Sequence, residues 1–216
     1  ASAEAWTTRE PSRAEAWFYL GAAYGARVQW RVLRVQRLAA ARDGKRIKTA
    51  LERALELDPT LEDANFGIGL FQYYADVAPA ALRFLRVLLL LPGGDKTEGL
   101  ARMLRTRERG QVLRSEAEYQ LHVIDLWYEQ QFDRALERLR GLERQHPRNP
   151  LFTQLIAEVQ DVYFHDRAGA LATWRRLLER ARRGEVRERA LADVRARLGA
   201  ARHLDALEES DATSHP

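Results

Sequence analysis

The chain contains no cysteine. Disulfides, thiolate-held zinc and cysteine nucleophiles are thereby excluded, and the redox compartment stays open. Proline and glycine are scarce, seven and thirteen in 216 residues. With alanine, leucine, arginine and glutamate dominant, that scarcity favours helix almost throughout. Lysine occurs only at Lys45, Lys48 and Lys96, so arginine carries the positive charge. Long hydrophobic runs are missing too. The longest, Val87 to Leu91, sits in an Ala80–Leu91 stretch broken by Arg83 and Arg86, too short to span a bilayer. No methionine opens the chain and no basic-then-apolar leader is visible. Cytoplasm and periplasm or cell envelope are both compatible, and the small-residue start Ala1-Ser2-Ala3 is read as a lean toward export.

What is present is the composition of a folded protein, 46% hydrophobic and 31% charged, rather than of a disordered one. The formal charge of +4 is too small to argue for nucleic acid by itself. The first internal pattern is Trp17-x2-Leu20-Gly21-x2-Tyr24. Steps of three, four and seven residues from Trp17 put all four side chains on one helical face. Glycine in that row allows a second helix to approach closely. Ile47, Leu51 and Ala54 then recur at helical spacing, and Asp58-Pro59 stops the helix, because proline lacks a donor and disfavours helix in the residue before it.

These residues resemble the tetratricopeptide repeat (TPR) superfamily. Trp17, Leu20, Gly21 and Tyr24 match the opening half of its pattern, and Ala50–Pro59 is similar to its second helix. In that family the terminating proline stands six residues before the next tryptophan slot. Pro11 precedes Trp17, Pro59 precedes Asn65, and Pro147 precedes Thr153 by that interval. Ile68-Gly69 and Ile156-Ala157 then occupy the Leu-Gly slots, and Tyr119 fills the tryptophan slot of the repeat ending at Pro147. The resemblance implies an all-α fold, a right-handed α-α superhelix of about four hairpins. The expected repeats span about 12–59, 62–113, 115–147 and 150–183, with a capping helix at 185–209, all in one domain over 1–209, and a disordered tail at 210–216.

Two hairpins are longer than the pattern. In the first, the excess is expected to extend one helix from Arg13 to Arg42, with the turn at Asp43-Gly44. In the second, an added helix is expected over Pro79–Leu91, followed by Pro92-Gly93-Gly94-Asp95 and a helix over Lys96–Arg109. That segment, with "GIGLFQYYADV" before it, resembles a bacterial subgroup related to the tetratricopeptide repeat protein 39 family. Both insertions are expected on one edge of the solenoid. Ala80–Leu91 is apolar nearly all round, so it either packs against Val28, Trp30, Val32 and Val35 or docks a partner or membrane surface.

In TPR hairpins the first helices line a concave groove. The corresponding positions are Glu15, Phe18 and Ala22; Asp63, Phe66, Leu70 and Tyr73; Gln120, Ile124 and Trp127; and Gln154, Glu158 and Asp161. The family's clamp for C-terminal carboxylates requires lysine, arginine and asparagine there. Aromatic, aliphatic and acidic residues stand in their place, which points to an apolar, helical segment of a partner protein held by Phe66, Tyr73 and Trp127. Alternatively the inserted helix fills the groove. Arg27, Arg31, Arg34 and Arg37 form a basic stripe that Arg42, Lys45, Arg46 and Lys48 extend, with only Asp43 opposing. It reads either as a solvated face or as a site for an acidic partner, anionic lipid or nucleic acid. Nucleic acid gains no further support, since no stacking platform accompanies the arginines.

No catalytic constellation is recognised. The five histidines are scattered, none paired at metal-ligand spacing, and His122 reads as a buried structural residue. There is no phosphate-cradling loop and no nucleophile elbow. The expectation is a non-enzymatic adaptor or assembly subunit, without cofactor, metal or small-molecule substrate. A regulatory portion of a larger protein is the other alternative.

Overall fold

The computed structural model describes residues 2–78 and 93–186. Among them are nine α-helices and no strand. They fall into two compact units, Ala1–Glu118 and Tyr119–Pro216. The expected helix over Pro79–Leu91, most of the expected cap and the tail lie outside the described residues.

The first unit holds α1 (Ser2–Arg9), α2 (Ala14–Leu33), α3 (Arg37–Leu57), α4 (Ala64–Asp76), α5 (Lys96–Arg109) and the start of α6 (Arg114–Trp127). Successive helices pack as α1 on α2, α2 on α3, α3 on α4 and α4 on α5. Trp17 and Pro11 are joined directly, the indole Nε1–H donating to the proline carbonyl at 2.9 Å. Gly21 brings α2 and α3 together. A Cβ there would lie 2.6 Å from Leu51 Cδ2, so the leucine occupies the space a side chain would need. Phe18, Leu51, Ala54, Ala64 and Ile68 form the core that this approach closes.

The α4–α5 crossing is tighter still. A Cβ on Gly99 would sit 2.7 Å from the Tyr73 backbone nitrogen and 2.8 Å from the Gly69 carbonyl oxygen. Two glycines thus face each other across the pair, and only backbone separates the helices. Asp95 starts α5 by accepting from the Glu98 N–H at 2.9 Å, which satisfies one of the donors a helix start leaves unpaired.

The long hairpin differs from the sequence expectation. The helix expected over Arg13–Arg42 breaks at Arg34–Gln36, where Val35 adopts a positive φ of 59°. The excess length is shared between two arms of 20 and 21 residues, each about 30 Å long at 1.5 Å per residue. Asp43-Gly44, expected as the turn, lies inside α3.

The second unit holds the rest of α6, with α7 (Phe132–Gln145), α8 (Pro150–Val162) and α9 (Arg167–Arg182). Pro150 opens α8 at a first-turn position, and Asn149 Oδ1 accepts from the Leu151 N–H at 3.1 Å, a combination suited to a helix start. Asp166 caps α9 through the Gly169 N–H at 2.9 Å. Leu126, Leu136, Leu139, Leu142, Phe152 and Ile156 make one core across α6, α7 and α8. Ala157, Ala170, Trp174, Leu177 and Val186 make another between α8 and α9.

Candidate functional site

The residues expected to line a groove divide into buried and accessible sets. In the first unit Phe18 belongs to the α2–α3–α4 core, and Tyr73 is fully buried. Neither can meet a partner, which corrects their reading as surface residues. The α5 backbone at Gly99 abuts the Tyr73 backbone. Phe66 and Leu70 remain half-buried on α4. Asp63 is buried and structural: its carboxylate accepts from the backbone N–H groups of Gln111, Val112 and Leu113 at 3.0, 3.2 and 2.8 Å. It thereby holds the loop that leads into α6.

In the second unit Trp127 is 65% exposed, and Tyr128 beside it is also open. Gln120, Gln154 and Glu158 are half-buried, while Ile124 is fully buried. The inner face beneath Trp127 carries a polar cluster that sequence reasoning missed. Asp125, almost completely buried, accepts from Arg138 Nε at 2.6 Å and also pairs with Arg134. Two arginines four apart, placed to meet one acid on the preceding helix, were the available signal.

His122 lies one turn before Asp125, buried against the Tyr119 ring. Its Nδ1–H donates to the Tyr119 carbonyl, which fixes the tautomer. Burial pushes its pKa down to about 4, with the nearby Arg138 charge acting in the same sense and the Tyr119 and Asp125 interactions opposing it.

The basic stripe is reorganised by Asp43, whose carboxylate is fully buried. Arg27 Nε and Nη2 donate to its two oxygens at 2.7 Å each, the bidentate geometry that carboxylate and guanidinium favour. Arg31 Nη1 stands 2.8 Å from the same carboxylate and Arg46 Nη1 3.4 Å. The Arg27 hydrogen bonds hold the Asp43 carboxyl below its ordinary range against the opposing effect of burial. Three of the six stripe residues are therefore engaged by Asp43, Arg27 and Arg31 from α2 and Arg46 within α3. Arg34 lies over the Trp30 ring at 4.1 Å, Lys45 is exposed, and the Arg37 side chain lies outside the described residues.

The turn between the arms presents four accessible apolar side chains, Trp30, Val32, Leu33 and Val35. Among the described residues no group of three or more histidine and carboxylate side chains is placed to hold a metal ion. No helix of the described residues is long and apolar enough to cross a membrane. Compared with known proteins, the sequence matches no family model and no curated protein.

Proposed function

We propose that this chain is a TPR-like, non-enzymatic scaffold that binds an apolar or helical segment of a partner protein, with Trp127 as its principal anchor. The observation that carries this reading is the exposure of Trp127 and Tyr128 at the end of a helix whose inner face is fixed by Asp125 and its two arginines. Exposed aromatics on a rigid support supply large contact area at small ordering cost and are over-represented among the residues that dominate binding. The repeat reading is supported by the Trp17–Pro11 hydrogen bond and by the approach of Leu51 to Gly21.

The test is affinity purification of the full chain from its native cells, with bound proteins identified by mass spectrometry. Replacing Trp127 and Tyr128 together by alanine is expected to reduce retention of a defined partner by about tenfold or more, with helicity unchanged. Retention at the wild-type level would remove Trp127 as the anchor. Tyr73, an anchor on sequence grounds, is unsuited to this experiment because its burial makes any substitution a stability lesion.

A further inference from the structure

The distal half of the α2–α3 hairpin is built unlike the rest of the first unit. None of the buried residues of α2 lies beyond Gly21. From there to the turn, the arms are joined by the Asp43 ion pairs and the Arg31–Ala39 carbonyl hydrogen bond of 2.8 Å. At the end of this arm Leu33 is 83% exposed and Trp30 51%, with Val32 and Val35 also open. Single exposed apolar side chains are ordinary, but four within six residues form a patch that asks for a cover. Val35 adds a second oddity. A β-branched residue at φ 59° is sterically costly, and such strain collects at functional turns.

The charge around the patch selects the cover. Eight cationic residues and one acid, Asp43, occupy positions 27–48, whereas the whole chain carries only +4, so the remainder is net negative. The only acid in the span is consumed by the arginines that bury it. An apolar tip on a net-positive hairpin, with the Arg34 guanidinium over its Trp30 ring, matches the boundary of an anionic bilayer. Leucine gains by leaving water, tryptophan favours the headgroup level, and each nearby cation contributes about 1 kcal/mol against acidic lipid. Nucleic acid would engage the cations but leave Leu33 and Val35 without a counterpart.

We propose that the α2–α3 turn, residues 30–36, docks this protein on an anionic lipid bilayer, with Trp30 and Leu33 entering the interface and Arg34 facing the headgroups. Docking this way is peripheral and reversible, and it is independent of the Trp127 reading.

Vesicle flotation of the full chain tests it, comparing phosphatidylcholine alone with phosphatidylcholine carrying about one-third phosphatidylglycerol. Binding is expected only to the anionic vesicles and to weaken steeply with added salt. Leu33→Asp, at a site too exposed to disturb folding, is expected to lower the bound fraction about tenfold or more, and Arg34→Glu to lower it severalfold. Trp30→Phe is expected to keep most binding yet lose the fluorescence quenching that brominated phosphatidylglycerol produces in the wild type. Wild-type binding by Leu33→Asp overturns the proposal, as does undiminished quenching in Trp30→Phe. It is equally overturned if the wild-type chain binds an oligonucleotide or self-associates through this turn while ignoring the vesicles.

Discussion

Burial of His122 pushes its imidazole down to about 4 from an ordinary 6.5, and the protonated form has no obvious place in the fold. The Nδ1–H is already given to the Tyr119 carbonyl, and the neighbouring Asp125 is occupied by two arginines. The sign follows from where the proton binds first. The unfolded chain takes it up near pH 6.5, the folded chain only near 4. The stability this group permits is therefore complete above about pH 6.5, declines as the pH falls toward 4, and is flat below that. The whole span is worth about 3 kcal/mol. Urea unfolding at a series of pH values should show this decline in the wild type. In His122→Asn, which keeps a donor toward Tyr119 but does not titrate, the decline between pH 6.5 and 4 should shrink.

At the scale of elements, three helix glycines distinguish close approach from mere tolerance. Gly25 has nothing within reach of an added Cβ, so Gly25→Ala should gain the helix-propensity difference, about 1 kcal/mol. At Gly21 the added carbon meets the Leu51 side chain at 2.6 Å. Leu51 Cγ also lies within 2.8 Å and its other methyl faces Gly67, so the leucine must shift within the core, and Gly21→Ala should lose about 1–2 kcal/mol. At Gly99 the obstacles are the Tyr73 nitrogen and the Gly69 carbonyl at 2.7 and 2.8 Å. Backbone cannot rotate away, so Gly99→Ala should force α4 and α5 apart and lose about 2 kcal/mol or more despite better propensity. Thermal denaturation of the three variants should rank them Gly25→Ala, Gly21→Ala, Gly99→Ala. Reversal of the outer two would mean the crossing is not set by these glycines.

Helix content and several ends were legible from local chemistry, and the errors share one cause. Pro59 and Pro150 mark an end and a start because proline acts on its own backbone wherever it stands. Asp43-Gly44 has the composition of a turn, yet it lies in mid-helix because Arg27 and Arg31, more than ten residues away, bind the carboxylate. With the turn misplaced, Arg34–Gln36 offered no glycine or proline to announce the actual break, and the apolar tip stayed hidden. Tyr73 was misread for the same reason. Its helical position is clear, but its burial depends on tertiary packing that no local pattern specifies. Charged residues in a surface-like rhythm read as solvated unless their acid is known to be buried.

At the scale of the whole molecule, that same dependence on buried acids recurs in both units, and it sets up a comparison. Asp43 joins α2 to α3 and Asp125 joins α6 to α7, each by collecting arginines. An asparagine in either place keeps the shape but removes the charge these arginines face, and the cost depends on how much water they can reach. The arginines left by Asp43→Asn retain some solvent, with Arg27 37% and Arg31 23% exposed. Of the two arginines facing Asp125, Arg138 is only 11% exposed and Arg134 50%. Asp43→Asn should therefore cost about 1–3 kcal/mol, and Asp125→Asn about 3–5 kcal/mol. Hydrogen exchange read by mass spectrometry locates each loss. Asp43→Asn should release amides first along α2 and α3, and Asp125→Asn first along α6 and α7. Equal losses, or acceleration spread evenly over residues 2–186 in either variant, would show that these acids do not act where their arginines lie.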